Sequence, residues 1–203
     1  MHIFKLILLT SLYSTLLLSN DKLLDSSFVG LSTGYVYADN EKDGSIEPDY
    51  KLDNSAMSYG VELGYRASEN IFYTMNYSKY YFESRSFDNY YLSANYLFDL
   101  GKDKFSLYVG AIGGWGSILW RDDPINSIET SEKRSENYLV GAQVGFEYTI
   151  KEDLFLYYAY IYSYSPQDTL LYDTTAISDA HRHNAVIGFR YYIPTVSSQN
   201  RLL

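Results

Sequence analysis

The sequence predicts an all-β protein: an eight-stranded antiparallel up-and-down transmembrane barrel, preceded by a cleavable signal peptide. Three observations predict it. Hydrophobicity repeats with period two along nearly the whole chain, connections alternate between long and short, and 24 tyrosines bring the aromatic share to 18% against only 20% charged residues. Alternation of apolar with small or polar residues is the pattern of a strand with one apolar face. Beyond the N-terminus no apolar run approaches the roughly 20 residues of a membrane helix. Cysteine is absent, which excludes disulfides, thiolate metal sites and a cysteine nucleophile. The net charge of −9 repels phosphate, so nucleic acid is not expected as a partner.

The first element is an address. Lys5 precedes an apolar stretch at 6–18, too short to span a bilayer, and Ser19 offers a small residue for cleavage. Residues 1–19 are therefore assigned to a signal peptide and 20–203 to the barrel domain.

Eight strands follow, at approximately 27–38, 56–67, 71–82, 89–100, 105–120, 137–150, 154–165 and 181–193. In the first, Val29, Leu31, Tyr35 and Tyr37 oppose Gly30, Ser32 and Gly34. The second sets Tyr59, Val61, Leu63 and Tyr65 against Gly60, Glu62, Gly64 and Arg66. The third opposes Tyr73, Met75 and Tyr77 to Thr74, Asn76 and Ser78. The fourth opposes Leu92, Ala94, Tyr96 and Phe98 to Asn89, Ser93 and Asn95. In the fifth, Phe105, Leu107 and Val109 alternate with Ser106, Gly110 and Gly114. The sixth sets Val140, Val144, Phe146 and Tyr148 against Gly141, Gln143, Gly145 and Glu147. The seventh alternates least, with Tyr158, Tyr160 and Tyr162 beside Phe155, Tyr157 and Ile161. The eighth opposes Ile187, Phe189 and Tyr191 to Arg182, Asn184, Gly188 and Arg190.

Long connections at 39–55, 83–88, 121–136 and 166–180 alternate with short turns at 68–70, 101–104 and 151–153. In a meander, alternate connections share an end, so the long loops lie at one end and both termini at the other. The first loop carries Asp39, Glu41, Asp43, Glu47, Asp49 and Asp53 without the spacing of a calcium loop. The polar face is mainly Gly, Ser, Asn and Thr, too poor in charge for the outside of a soluble barrel. It suits the crowded inside of a narrow one. The other face, with Lys79 as its clear charge, then meets lipid.

Phe28-Val29-Gly30-Leu31-Ser32-Thr33-Gly34-Tyr35, Gly60-Val61-Glu62-Leu63-Gly64-Tyr65-Arg66 and Gly188-Phe189-Arg190-Tyr191-Tyr192-Ile193 resemble the small eight-stranded outer-membrane barrels, like the OmpA transmembrane domain and its OmpX- and opacity-type relatives. Gly188, Tyr191 and Ile193 look like the family's C-terminal assembly signal, with Ile193 in place of the usual aromatic and residues 194–203 following. The resemblance implies a monomer in the outer membrane of a Gram-negative bacterium, with the long acidic loops extracellular and the termini periplasmic. It implies contact with outer-membrane lipid and lipopolysaccharide, and with barrel-assembly machinery during biogenesis. It names no extracellular partner.

On the inner face, Arg66, Glu147 and Arg190 fall near short-turn ends and are expected to form a charge network with Glu62 and Arg182. Such a network either plugs the lumen or lines a small pore. The eight-stranded diameter favours the plug. Tyr37, Tyr59, Tyr65, Tyr73, Tyr96, Trp115, Trp120, Tyr148, Tyr162 and Tyr191 are expected to form the aromatic belts at the membrane interfaces. His181 and His183 fall on the outer face at the long-loop end, without the further ligands a metal needs. No catalytic set, metal or cofactor is expected. The expected role is non-enzymatic, structural or surface-interacting, with the lumen plugged by side chains. A low-conductance porin-like channel is the alternative, and a lipid-modifying enzyme ranks third.

Overall fold

The computed structural model describes residues 27–43, 53–102, 104–120, 134–166, 168–171 and 175–193. The expected signal peptide, the centre of the first long loop, most of the third and residues 194–203 lie outside the described residues. Every regular element among those described is a strand: β1 (Ser27–Asp43), β2 (Ser55–Arg66), β3 (Ile71–Tyr81), β4 (Arg85–Lys102), β5 (Phe105–Trp120), β6 (Arg134–Lys151), β7 (Leu154–Tyr164), β8 (Asp168–Leu171) and β9 (Thr175–Tyr192). Neighbours pair antiparallel, β7 bypasses the short β8 to pair with β9, and β9 pairs with β1. Eight long strands thus close a barrel and remove its edges.

The register fixes the barrel's proportions. Followed once round the wall, paired residues lead from Tyr37 by way of His183, Tyr162, Ala111 and Tyr65 back to β1 at Ser27, ten positions lower. With eight strands, that stagger tilts each strand by about 40°. A residue then advances about 2.5 Å along the barrel axis.

Burial is inside out for a water-soluble protein. Leu31 (65% exposed), Phe189 (53%) and Trp115 (52%) point outward, while Glu62, Glu147, Arg182 and Arg190 are buried. Tyr37, Tyr59, Trp115 and Tyr138 belong to an upper outer girdle, and Tyr65, Tyr73, Tyr96, Tyr148 and Tyr191 to a lower one. About eight to ten residues of axial advance separate the girdles, roughly 20–25 Å, the height of an apolar membrane band. Between them the wall carries Leu31, Val61, Leu92, Val109, Val144 and Ile187.

Trp120 corrects the expected belt: it is 4% exposed and faces the lumen. An odd separation of five residues from Trp115 puts the two indoles on opposite faces of β5. The expected loop at 83–88 is another correction. Only Phe82, Glu83 and Ser84 join β3 to β4, closed by a 3.0 Å bond from the Phe82 N–H to the Arg85 carbonyl. At the same end β1, β6 and β9 also run past the expected limits. The extensions of β1 and β6 are polar, and that of β9 mixes Ala176, Ile177 and Ala180 with polar residues, so none carries a clean apolar period to announce it.

Candidate functional site: the barrel lumen

The lumen is filled in three layers. Nearest the short turns, the buried Arg190 guanidinium forms paired bonds to Glu62, Nε–Oε1 at 2.6 Å and Nη2–Oε2 at 3.2 Å. Its Nη1 lies 3.5 Å from Glu147 Oε1, and Glu147 Oε2 accepts a 3.0 Å bond from Arg66 Nη2. Two cations and two anions balance. β2, β6 and β9 supply them by parity, and their positions two to six residues from a short turn or from the C-terminal end of β9 set the depth. Rings enclose the group: the Arg190 guanidinium stands 4.1 Å from the Tyr157 centroid and 5.1 Å from those of Tyr108 and Phe72. Glycines make room for these rings. A Cβ at Gly64 would overlap the Phe28 ring, and one at Gly145 the Tyr108 ring.

The middle layer is uncharged. Ser58 Oγ donates to Asn184 Oδ1 at 2.9 Å, and Gln143 Nε2 to Asn95 Oδ1 at 2.5 Å. Asn95 Nδ2 reaches Ser93 Oγ at 2.7 Å, and the Thr74 and Ser93 hydroxyls are 2.6 Å apart. The cavity among Ser32, Ser58, Asn76, Tyr91 and Gln143 measures about 20 Å³. That is room for about one water.

Arg182 is not in the charge network, which corrects the expected set. It lies eight positions from Arg190 on β9, about 20 Å higher along the axis. There its guanidinium stacks 4.7 Å from the Phe87 centroid. The same layer holds Arg85, wholly buried, 4.5 Å from Phe82, 5.5 Å from Trp120 and 5.7 Å from Phe87. Arg85 Nη1 donates to Asp53 through the carbonyl at 3.1 Å and Oδ1 at 3.2 Å. Sequence reasoning missed Arg85 and Asp53 by reading both as loop. The signal was present: Arg85, Phe87 and Asn89 continue the inner parity of β4.

The outer-face histidines do not converge on the lumen. Tyr160 Oη pairs with His183 Nδ1 at 2.6 Å and Tyr162 Oη with His181 Nδ1 at 2.7 Å. The Tyr162 ring lies between the two imidazoles, 6.0 Å from His181 and 5.3 Å from His183. Among the described residues no group of three or more His, Cys, Asp or Glu side chains is placed to hold a metal. Tyr191 is exposed on the outer wall, Gly188 abuts Tyr157 inside, and the Ile193 N–H bonds to the Ser27 carbonyl at 2.9 Å, closing the seam.

No protein-family model matches the sequence, and no curated protein does. Among solved structures, Neisserial surface protein A is similar over 82% of this chain and 96% of its own, at 16% identity and a TM-score of 0.61. The fold is that of the small eight-stranded outer-membrane barrels. The N-terminal barrel domain of Pseudomonas aeruginosa OprF aligns over 82% of this chain and 98% of its own, at 18% identity and a TM-score of 0.48. Ail, the attachment invasion locus protein of Yersinia pestis, aligns over 82% and 99%, at 16% identity and a TM-score of 0.45. The lumen of this barrel holds a balanced lower cluster, a neutral middle and two guanidinium groups around Phe87.

Proposed function

We propose that the chain is an integral outer-membrane barrel with a structural or surface-contact role, plugged by its own side chains and without enzymatic activity. The observation that carries this is the filled lumen. Charges, amides and stacked rings leave a cavity of about 20 Å³ at mid-height, whereas an ion channel needs continuous water. The apolar outer wall between aromatic girdles supports membrane insertion, because lipid is the medium that such a surface requires and closure leaves no edge among the eight long strands. In this orientation the long acidic connections face outward from the cell and the termini face the periplasm.

The test is planar-bilayer recording on the purified chain. The plugged reading expects baseline current, unchanged by Arg66→Ala. Steady unitary steps from the unsubstituted protein overturn it and establish the low-conductance channel instead.

A further inference from the structure

Nine strand glycines on the inner face are each explained by a neighbour, since a Cβ on any of them would come within 3.0 Å of another atom. Gly113 is different. It lies on the outer face of β5, and a Cβ there would meet nothing within 4 Å. Glycine in a strand gives up packing and adds unfolded-state entropy, yet nothing in the barrel requires this one. What it creates is a niche. A cavity of about 140 Å³ opens over Gly113, walled by Val61, Leu63, Met75, Leu92 and Trp115. Tyr77 and Tyr90 form its upper lip.

The niche lies in the apolar band, immediately beneath the upper girdle, so its occupant comes from the bilayer. Two positions above the lip on β3 stands Lys79, on the outer wall opposite Asp88. Asp88 Oδ1 accepts from Lys79 Nζ at 3.0 Å and from Tyr77 Oη at 2.7 Å. That bond uses one of the ammonium's three donors and leaves two for a further acceptor. A cation at headgroup height above an apolar slot matches an anionic lipid in both its parts.

We infer that this face is a lipid-binding site: one acyl chain fills the niche over Gly113 while the lipid's anionic phosphate bonds to Lys79. The site rests on the membrane-barrel reading above and goes beyond it, because ordinary annular lipid has no preferred position. It also gives Gly113 a reason that the chain alone does not supply.

Trp115 makes the site measurable. The chain has two tryptophans, so the full-length Trp120→Phe variant reports Trp115 alone. The measurement is its quenching in phosphatidylcholine vesicles containing a low fraction of phosphatidylglycerol, with brominated acyl chains on one lipid or the other. Per mole fraction of the brominated lipid, phosphatidylglycerol is expected to quench about two- to fivefold more strongly, the range of one exposed charged contact. Lys79→Gln removes that preference. Gly113→Leu, which extends into open space and leaves the barrel folded by circular dichroism, lowers quenching by both lipids and removes the preference. Equal quenching per mole fraction by the two lipids, or quenching indifferent to Gly113→Leu, overturns the site. A disulfide-linked dimer formed through Leu92→Cys overturns it too, with a second copy as the occupant. Failure of the membrane reading itself is distinct: neither brominated lipid would then quench at any fraction.

Discussion

Arg190 shows what one residue contributes. Its guanidinium has two carboxylates within ion-pair distance and four aromatic rings around it. A buried ion pair adds little net stability over an apolar packing, but removing one partner strands the other at a cost of about 3–5 kcal/mol. Arg190→Met should therefore lose about that much in denaturant unfolding from lipid vesicles. Adding Glu62→Gln to it should recover a substantial part, because one stranded charge is gone. Single losses that simply add would refute the coupling. Parity and distance from a short turn were enough to locate Glu62, Arg66, Glu147 and Arg190 from the sequence. The same parity misplaced Arg182, since face alone says nothing of depth when a strand runs the full height of the barrel. Trp120 failed for a simpler reason: both indoles suited a belt in chemistry, but only one has the outward parity.

At the scale of elements, the apolar period marks a strand only where one face meets something apolar. The β3–β4 connection illustrates the limit. Six residues without that period read as a loop, yet four of them, 85–88, are strand, because Arg85 and Phe87 turn inward onto Trp120 and Phe82. Asp53, from the chain entering β2, holds this turn: Ser84 Oγ donates to it at 3.1 Å and the Glu83 N–H at 2.5 Å. Asp53→Ala leaves these donors and the buried Arg85 guanidinium short of an acceptor, a loss of about 1–3 kcal/mol. Hydrogen exchange should locate it, with amides 83–85 exchanging faster while those of β7 stay protected. Uniform acceleration throughout the barrel would instead make Asp53 a global determinant.

For the whole molecule, the decisive property is redundancy of closure. The lower cluster, the neutral middle and the guanidinium–ring layer draw on shared strands, β9 contributing Arg190, Asn184 and Arg182 in turn, but each is centred at a different height. Removing one layer should leave bilayer conductance at baseline: Arg190→Ala and Arg85→Ala, made separately, are each expected to stay closed. Channel steps from either variant would mean that one layer alone is the plug. Legible in the sequence are the strand-rich class, the eight strands of the barrel though not the short β8, the alternation of longer and shorter connections, and which face carries charge. Those are local properties, set by a period of two and by breaks in it. Tertiary structure decided the ten-residue stagger, and with it the depth at which each inner residue meets the others. It separated Arg182 from Arg190, joined Arg85 to Asp53, and left Gly113 over open space. The physical reason is that closure is a condition on all strands at once: each pairing shifts the next, and only their sum round the barrel fixes the height of any residue.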